Sequence, residues 1–184
     1  MSAADFYKLV EHRQSTRAFD PERKVDRETV TRILEAGRLA PSACNAQPWH
    51  FIVVDEPELK DKVADATASK ILRMNHFTKQ APVHILVVEE KVNISSGFGG
   101  LVKDKQFALL DLGIAATHIC LAAEAEGLGS CILGWFAEEK VKDLLGIPKS
   151  RRVILDIVIG YPAQELREKK RKTFDEVVSF NRYK

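Results

Sequence analysis

The chain lacks the signatures that announce several large enzyme classes. No G-x-G-x-x-G fingerprint is present, since Gly97-Phe98-Gly99-Gly100 and Gly127-Leu128-Gly129 both miss the spacing. A dedicated Rossmann unit for a nicotinamide dinucleotide is therefore not read. The motifs G-x-x-x-x-G-K-[ST], H-E-x-x-H and G-x-S-x-G are absent as well. P-loop NTPase, zincin and serine hydrolase readings lose their support. Cysteine is scarce: Cys44, Cys120 and Cys131 are three in number and fit no disulfide or metal spacing. His118 and Cys120 are two apart on a predicted helix, about 200° around its axis, and do not share a metal ion. No apolar run approaches the ~20 residues that cross a bilayer. Charge of one sign is lacking too, because 28 basic residues against 26 acidic ones leave only +2. That balance gives no argument for a nucleic-acid partner.

What is there is a chain of 184 residues with 45% hydrophobic and 29% charged residues. The length predicts one domain over residues 1–184 and the composition a globular one. Asp5, Lys8, Glu11 and Arg13 in the first turns do not read as a secretory signal. Reduced, mostly buried thiols and a cytoplasmic location are the expectation.

Periodicity places the elements. A short helix over 5–12 presents Phe6, Leu9 and Val10 on one face. Asp26 is placed to cap a helix running to about residue 39, with Val25 and Val30 at hydrophobic-staple spacing. Residues 51–54 read as a strand, and Pro57 opens a helix whose Leu59, Val63 and Ala66 face inward. Residues 83–88 form a more buried strand, interrupted only by His84. Residues 92–105 break the pattern around Ser95-Ser96-Gly97-Phe98-Gly99-Gly100, as a loop over a site or as a variable insertion. A helix over 107–126, apolar on nearly all sides, belongs at a domain centre or a subunit interface. Strands over 130–133 and 153–159, a helix over 138–145 and a short helix over 174–178 complete the reading. Helices and strands alternate without βαβ regularity, so the class predicted is α+β.

Three stretches carry chemistry. In Arg13-Gln14-Ser15-Thr16-Arg17 two guanidiniums and a hydroxyl can converge, and guanidinium forks match phosphate oxygens. The alternative is an ordinary charged helix end. In Pro41-Ser42-Ala43-Cys44-Asn45-Ala46-Gln47-Pro48-Trp49, two prolines bracket a hydroxyl and two carboxamides. Such groups both donate and accept, which suits the edge of a flat heterocycle. In Arg167-Glu168-Lys169-Lys170-Arg171-Lys172 basic charge is concentrated, either as a solvated face or as an anion site.

These stretches, with Leu133-Gly134-Trp135 between them and Phe174-x-Glu176-Val177-Val178 after them, resemble the nitroreductase family in order along nearly the whole chain. The resemblance implies an FMN-dependent oxidoreductase fed by NADH or NADPH. It implies an α+β layered domain with a central mixed, mostly antiparallel sheet flanked by helices, in an intertwined homodimer with FMN at the interface. Arg13, Ser15 and Arg17, with Gln14 among them, would hold the phosphate and ribityl region, completed by Lys169 or Arg171. Pro41, Ser42, Ala43 and Asn45 would reach the same flavin from the other subunit. Leu133, Gly134 and Trp135 would run along the isoalloxazine, with a backbone N–H near its N5 atom. No acid–base residue and no metal are implied, since the chemistry is the cofactor's. A ping-pong cycle follows, in which NAD(P)H delivers hydride and leaves before a nitroaromatic, quinone or similar small acceptor enters. Trp135, Phe136 and Phe98 are candidates for an aromatic wall, and Asn75 for a flavin contact. Relatives that remove halogens or degrade flavin, a non-catalytic FMN sensor, and a flavin-free anion patch remain alternative readings.

Overall fold

The computed structural model describes residues 2–69, 74–91 and 106–183. Its helices are α1 (Ala3–His12), α2 (Arg27–Arg38), α3 (Pro57–Thr67), α4 (Phe107–Ala125), α5 (Glu138–Leu145) and α6 (Phe174–Val177). Its strands are β1 (Trp49–Val54), β2 (Val83–Glu89), β3 (Gly129–Leu133) and β4 (Arg152–Gly160). They form one sheet in the order β1-β2-β4-β3, with every strand pair antiparallel. The parallel element of the expected mixed sheet is a single bridge, Ser15 to Ser130, on the outer edge of β3.

Local chemistry sets the helix starts. Asp26 accepts the Thr29 backbone N–H and the Thr29 hydroxyl, both at 2.8 Å, and so caps α2. Pro57 occupies the first turn of α3, where its missing N–H costs nothing. Ser2 and Asp5 close a reciprocal capping box on α1.

Helices cover both faces of the sheet. On one, Val83, Ile85 and Val87 of β2 and Ile157 and Ile159 of β4 pack with Val30 and Ile33 of α2 and Leu112, Ala116 and Ile119 of α4. On the other, Leu86, Val88 and Val153 meet Val63 and Ala66 of α3 and Val141 of α5. Burial on both faces explains why β2 reads as an almost unbroken apolar run. Each fully buried Leu or Ile here contributes about 1.5–3 kcal/mol. The helix α4 is apolar enough over 19 residues to cross a membrane by composition. It lies instead between α2, the sheet and α1, as an all-round apolar helix should. Gly37 lets α2 come close, since a Cβ there would sit 2.7 Å from Ile119 Cγ1. Part of α4 stays uncovered: Phe107, Leu109, Leu110 and Ile114 are exposed, as are Phe6, Tyr7 and Val10 on α1.

Candidate functional site

The first motif begins where α1 ends. Arg13 is its C-cap, donating its backbone N–H to Leu9 O at 3.0 Å. The chain then extends along the outer edge of β3, and Thr16 N–H donates to Ser130 O at 2.9 Å. Thr16 is buried and rests against Gly129. Alternation in an extended segment places Ser15 and Arg17 on the side opposite Thr16.

The basic segment returns to this same place. Gln164 Oε1 accepts the Arg17 N–H at 2.9 Å. Gln14 uses both ends of its carboxamide, donating to Glu165 O at 3.2 Å and accepting from the Arg167 N–H at 3.2 Å. The Arg167 guanidinium donates to Ser15 O at 3.2 Å. Lys169 Nζ donates to Val10 O at 2.9 Å and to Glu11 O, closing the C-terminus of α1. Burial lowers the Lys169 pKa, and the neighbouring charges of Arg13 and Arg171 lower it further. Glu124 and Glu11 act in the opposite direction. Among the described residues, no carboxylate comes within 4.0 Å of Arg13, Arg17, Arg167, Lys169 or Arg171 as an ion-pair partner. Positive charge outweighs that of Glu11 and Glu124 here, which favours an anion.

The strand β3 leads from this cluster to the third motif. Ser130 and Gly134 are four residues apart, about 13 Å along a strand. Leu133 is buried opposite Asp156, whereas Gly134 and Trp135 are exposed. A Cβ on Gly134 would meet nothing nearer than Leu155 Cδ2 at 3.9 Å. The backbone there presents an open face on which a flat group can lie. Trp135 O accepts from Asn75 Nδ2 at 3.2 Å. Phe136 does not join an aromatic wall, because it packs into the core under α3 and α5. Phe98 and the stretch 92–105 lie outside the described residues.

The second motif is a tightly determined loop. Cys44, Asn45 and Gln47 all have positive φ, at 52°, 54° and 47°. Non-glycine residues seldom adopt this conformation without support from their surroundings. Ser42 Oγ accepts the Gln47 N–H at 2.9 Å, and Gln47 Nε2 donates to Asn45 Oδ1 at 3.1 Å. The Ala43 N–H donates to the carboxylate of Asp111 on α4, at 3.1 and 3.2 Å. Pro41 is exposed and leads into this loop. Among the described residues of one chain, no hydrogen bond joins residues 41–47 to the first motif. They sit at opposite ends of α4: Asp111 serves the loop, while Glu124 faces Arg13 and Lys169. Thirteen residues of helix separate those carboxylates by about 20 Å.

Several participants were not foreseen. Asp111 is a carboxylate among apolar residues in the first turns of α4, which was a usable signal. Thr16 and Arg167 lay inside stretches singled out in the sequence without a role of their own, and Gln164 had no signal there. Cys120 and Cys131 are buried and Cys44 is exposed, and burial pushes the two buried thiols up. Among the described residues no cluster could hold a metal ion.

The structure thus sets a four-stranded antiparallel sheet between helices, with cations near one end of its edge strand and an exposed backbone at the other. The nitroreductase family model matches residues 10–161, and the chain belongs to that family. It is 30% identical to the Bacillus subtilis protein provisionally named NAD(P)H nitroreductase YdgI, over 88% of this chain and 90% of that one. A nitroreductase family protein from Clostridium novyi NT is similar in structure, with a TM-score of 0.73 and 32% identity, covering 85% of this chain and 84% of that one. An FMN-dependent nitroreductase from Clostridium difficile R20291 matches with a TM-score of 0.75 and 26% identity, over 95% and 98% of the two chains.

Proposed function

We propose that this protein is an FMN-dependent oxidoreductase that uses NADH or NADPH to reduce small acceptors such as nitroaromatics and quinones, and that it works as a homodimer. The observation that carries the reading is the gathering of Arg13, Lys169 and Arg171 around the end of α1, with no ion pair to a carboxylate among the described residues, beside an edge strand that leads to the open backbone at Gly134. A phosphate at one end and a ring at the other fit that layout.

Bound FMN would supply a ring able to take two electrons from a nicotinamide and pass them to a second substrate. The chain's own part is to bind and to orient. Arg13, Arg17 and Arg171 offer guanidinium forks to the phosphate, with Ser15 and Gln14 beside them. Lys169 is already engaged with the end of α1, so its part is mainly its charge. Leu133, Gly134 and Trp135 form the backbone edge for the ring. Pro41, Ser42, Ala43 and Asn45 of the partner subunit would close the other side, since in a single chain they lie at the far end of α4. The exposed apolar residues of α1 and α4 are the surface on which two copies would meet. With no fingerprint for a separate nicotinamide site, donor and acceptor would use one opening in turn, a ping-pong order.

The purified protein should be yellow, and anaerobic NADH or NADPH should bleach it. Replacing Arg13 by Ala should weaken FMN binding roughly 10- to 150-fold, the loss of a charge-assisted bond worth ~1.5–3 kcal/mol. Unchanged retention of flavin by R13A would remove the phosphate assignment. Mixed R13A and Asn45→Ala subunits should regain some intact sites, and no regain would count against a shared pocket.

A further inference from the structure

On the α3 and α5 side of the sheet, two titratable side chains are wholly buried: His84 on β2 and Asp156 on β4, both with no exposed area. Their contact, His84 Nδ1 to Asp156 Oδ2, is 2.8 Å. The other ring nitrogen, Nε2, lies 3.2 Å from Thr78 O. Asp156 Oδ1 has no hydrogen-bond partner among the described residues. An apolar pair of similar volume in this place is often as stable or more so. A polar pair kept here, with one oxygen unsatisfied, points to a need for position rather than stability.

The route outward is continuous. Thr78 Oγ1 donates to Asn75 O at 2.8 Å and meets Thr67 Oγ1 at 3.0 Å. Asn75 is itself left-handed, at φ 62°. Its Nδ2 donates to Thr67 O at 3.1 Å and to Trp135 O at 3.2 Å. Asp156 is also the strand partner of Leu133. The segment 133–135 is thus held from two directions, through the β4 backbone and through Thr78 and Asn75. We propose that His84 and Asp156 are positioning residues that fix the backbone of residues 133–135, the proposed flavin edge, through Thr78 and Asn75. The functional part of this rests on the FMN reading above.

The test measures amide hydrogen exchange of residues 133–136 in the apoprotein, then FMN affinity and the flavin absorption spectrum of the loaded protein. His84→Phe and Asn75→Asp should each speed exchange about five- to tenfold, roughly one hydrogen bond's worth. Each should also shift the flavin spectrum, and the double variant should be little worse than either single one. Asp156→Asn preserves the shape and a hydrogen-bonding group, and should restore most of the protection that Asp156→Leu loses. Parental exchange and spectrum in N75D, or strictly additive effects of H84F and N75D, would overturn the proposal. Should H84F not fold, N75D and D156N decide it. The exchange arm needs no flavin, so a parent protein that takes up no FMN would sink the functional reading while leaving the positioning result legible.

Discussion

Replacing Gly129 by Ala tests whether the edge of β3 really sets the position of the first motif. Gly129 does not have a positive φ, so an L-residue is conformationally acceptable there and any cost is steric. The added methyl would lie 2.7 Å from Thr16 Cγ2 and 2.8 Å from Thr16 Cβ. Thr16 cannot swing clear, because it is buried and a β-branched side chain has few χ1 choices. Overpacking of this kind costs ~1–3 kcal/mol. For a chain of this length that corresponds to a fall in Tm of about 2–12 °C. Thr16 moving off β3 takes Ser15 and Arg17 with it, so FMN affinity should fall alongside stability, measured by fluorescence titration and thermal unfolding. A second change, Thr16→Ala, removes Cγ2 and the neighbouring hydroxyl and should recover part of both losses. A G129A protein with parental Tm and parental FMN affinity would refute the reasoning, since it would mean Thr16 is not clamped against β3.

Two further outcomes follow from single contacts. Asp111→Ala removes the acceptor of the Ala43 N–H, costs ~1–3 kcal/mol if that amide stays buried, and should expose residues 41–47 to limited proteolysis before the rest of the chain. Unaltered cleavage of that loop would show that Asp111 does not hold it. Asp26 lies below the usual carboxylate range, first through the Thr29 backbone N–H and then through the Thr29 hydroxyl. A depressed folded value means the stabilisation is present above the unfolded value, near ~3.9, and is lost as pH falls through the folded one. Asp26→Ala should therefore be less stable than the parent at pH 7 and converge with it in acid, as followed by denaturant melts. A constant difference across that range would deny the cap its charge.

Legibility in the sequence followed locality. The caps at Asp26 and Pro57, the all-round apolar α4 and the four strands depend on residues within a few positions of one another, and each appears where periodicity placed it. The Arg13 to Arg17 and 41–49 stretches were also legible, as polar groups at close spacing. What joins the elements was not. The ladder through Gln14, Gln164 and Arg167 links residues about 150 positions apart, and either carboxamide alone reads as a solvated side chain. His84 was noticed only as an interruption in β2, because nothing near it in the chain reveals that Asp156 waits on β4. Phe136 beside the exposed Trp135 could be read from sequence as pocket wall or as core, and it is half-buried against the cluster under α3 and α5.

The geometry of α4 supports a shared site more strongly than any one motif does. Its first turns anchor the loop at 41–47 through Asp111, and its last turns face the Arg13 and Lys169 cluster. On the proposed reading a single chain offers two half-sites about 20 Å apart on one rod, with Phe107, Leu109, Leu110 and Ile114 uncovered toward the end that carries the loop. In the proposed homodimer a two-fold axis near the middle of α4 would run two copies of it in opposite directions. Each loop would then face the other chain's cationic cluster, giving two equivalent composite sites from one self-complementary interface. Charge on those uncovered apolar residues should therefore unmake both sites at once: Leu110→Glu would give a monomer that binds FMN weakly although every residue of its own cluster is intact. A monomeric L110E protein with parental flavin affinity would mean that one chain suffices.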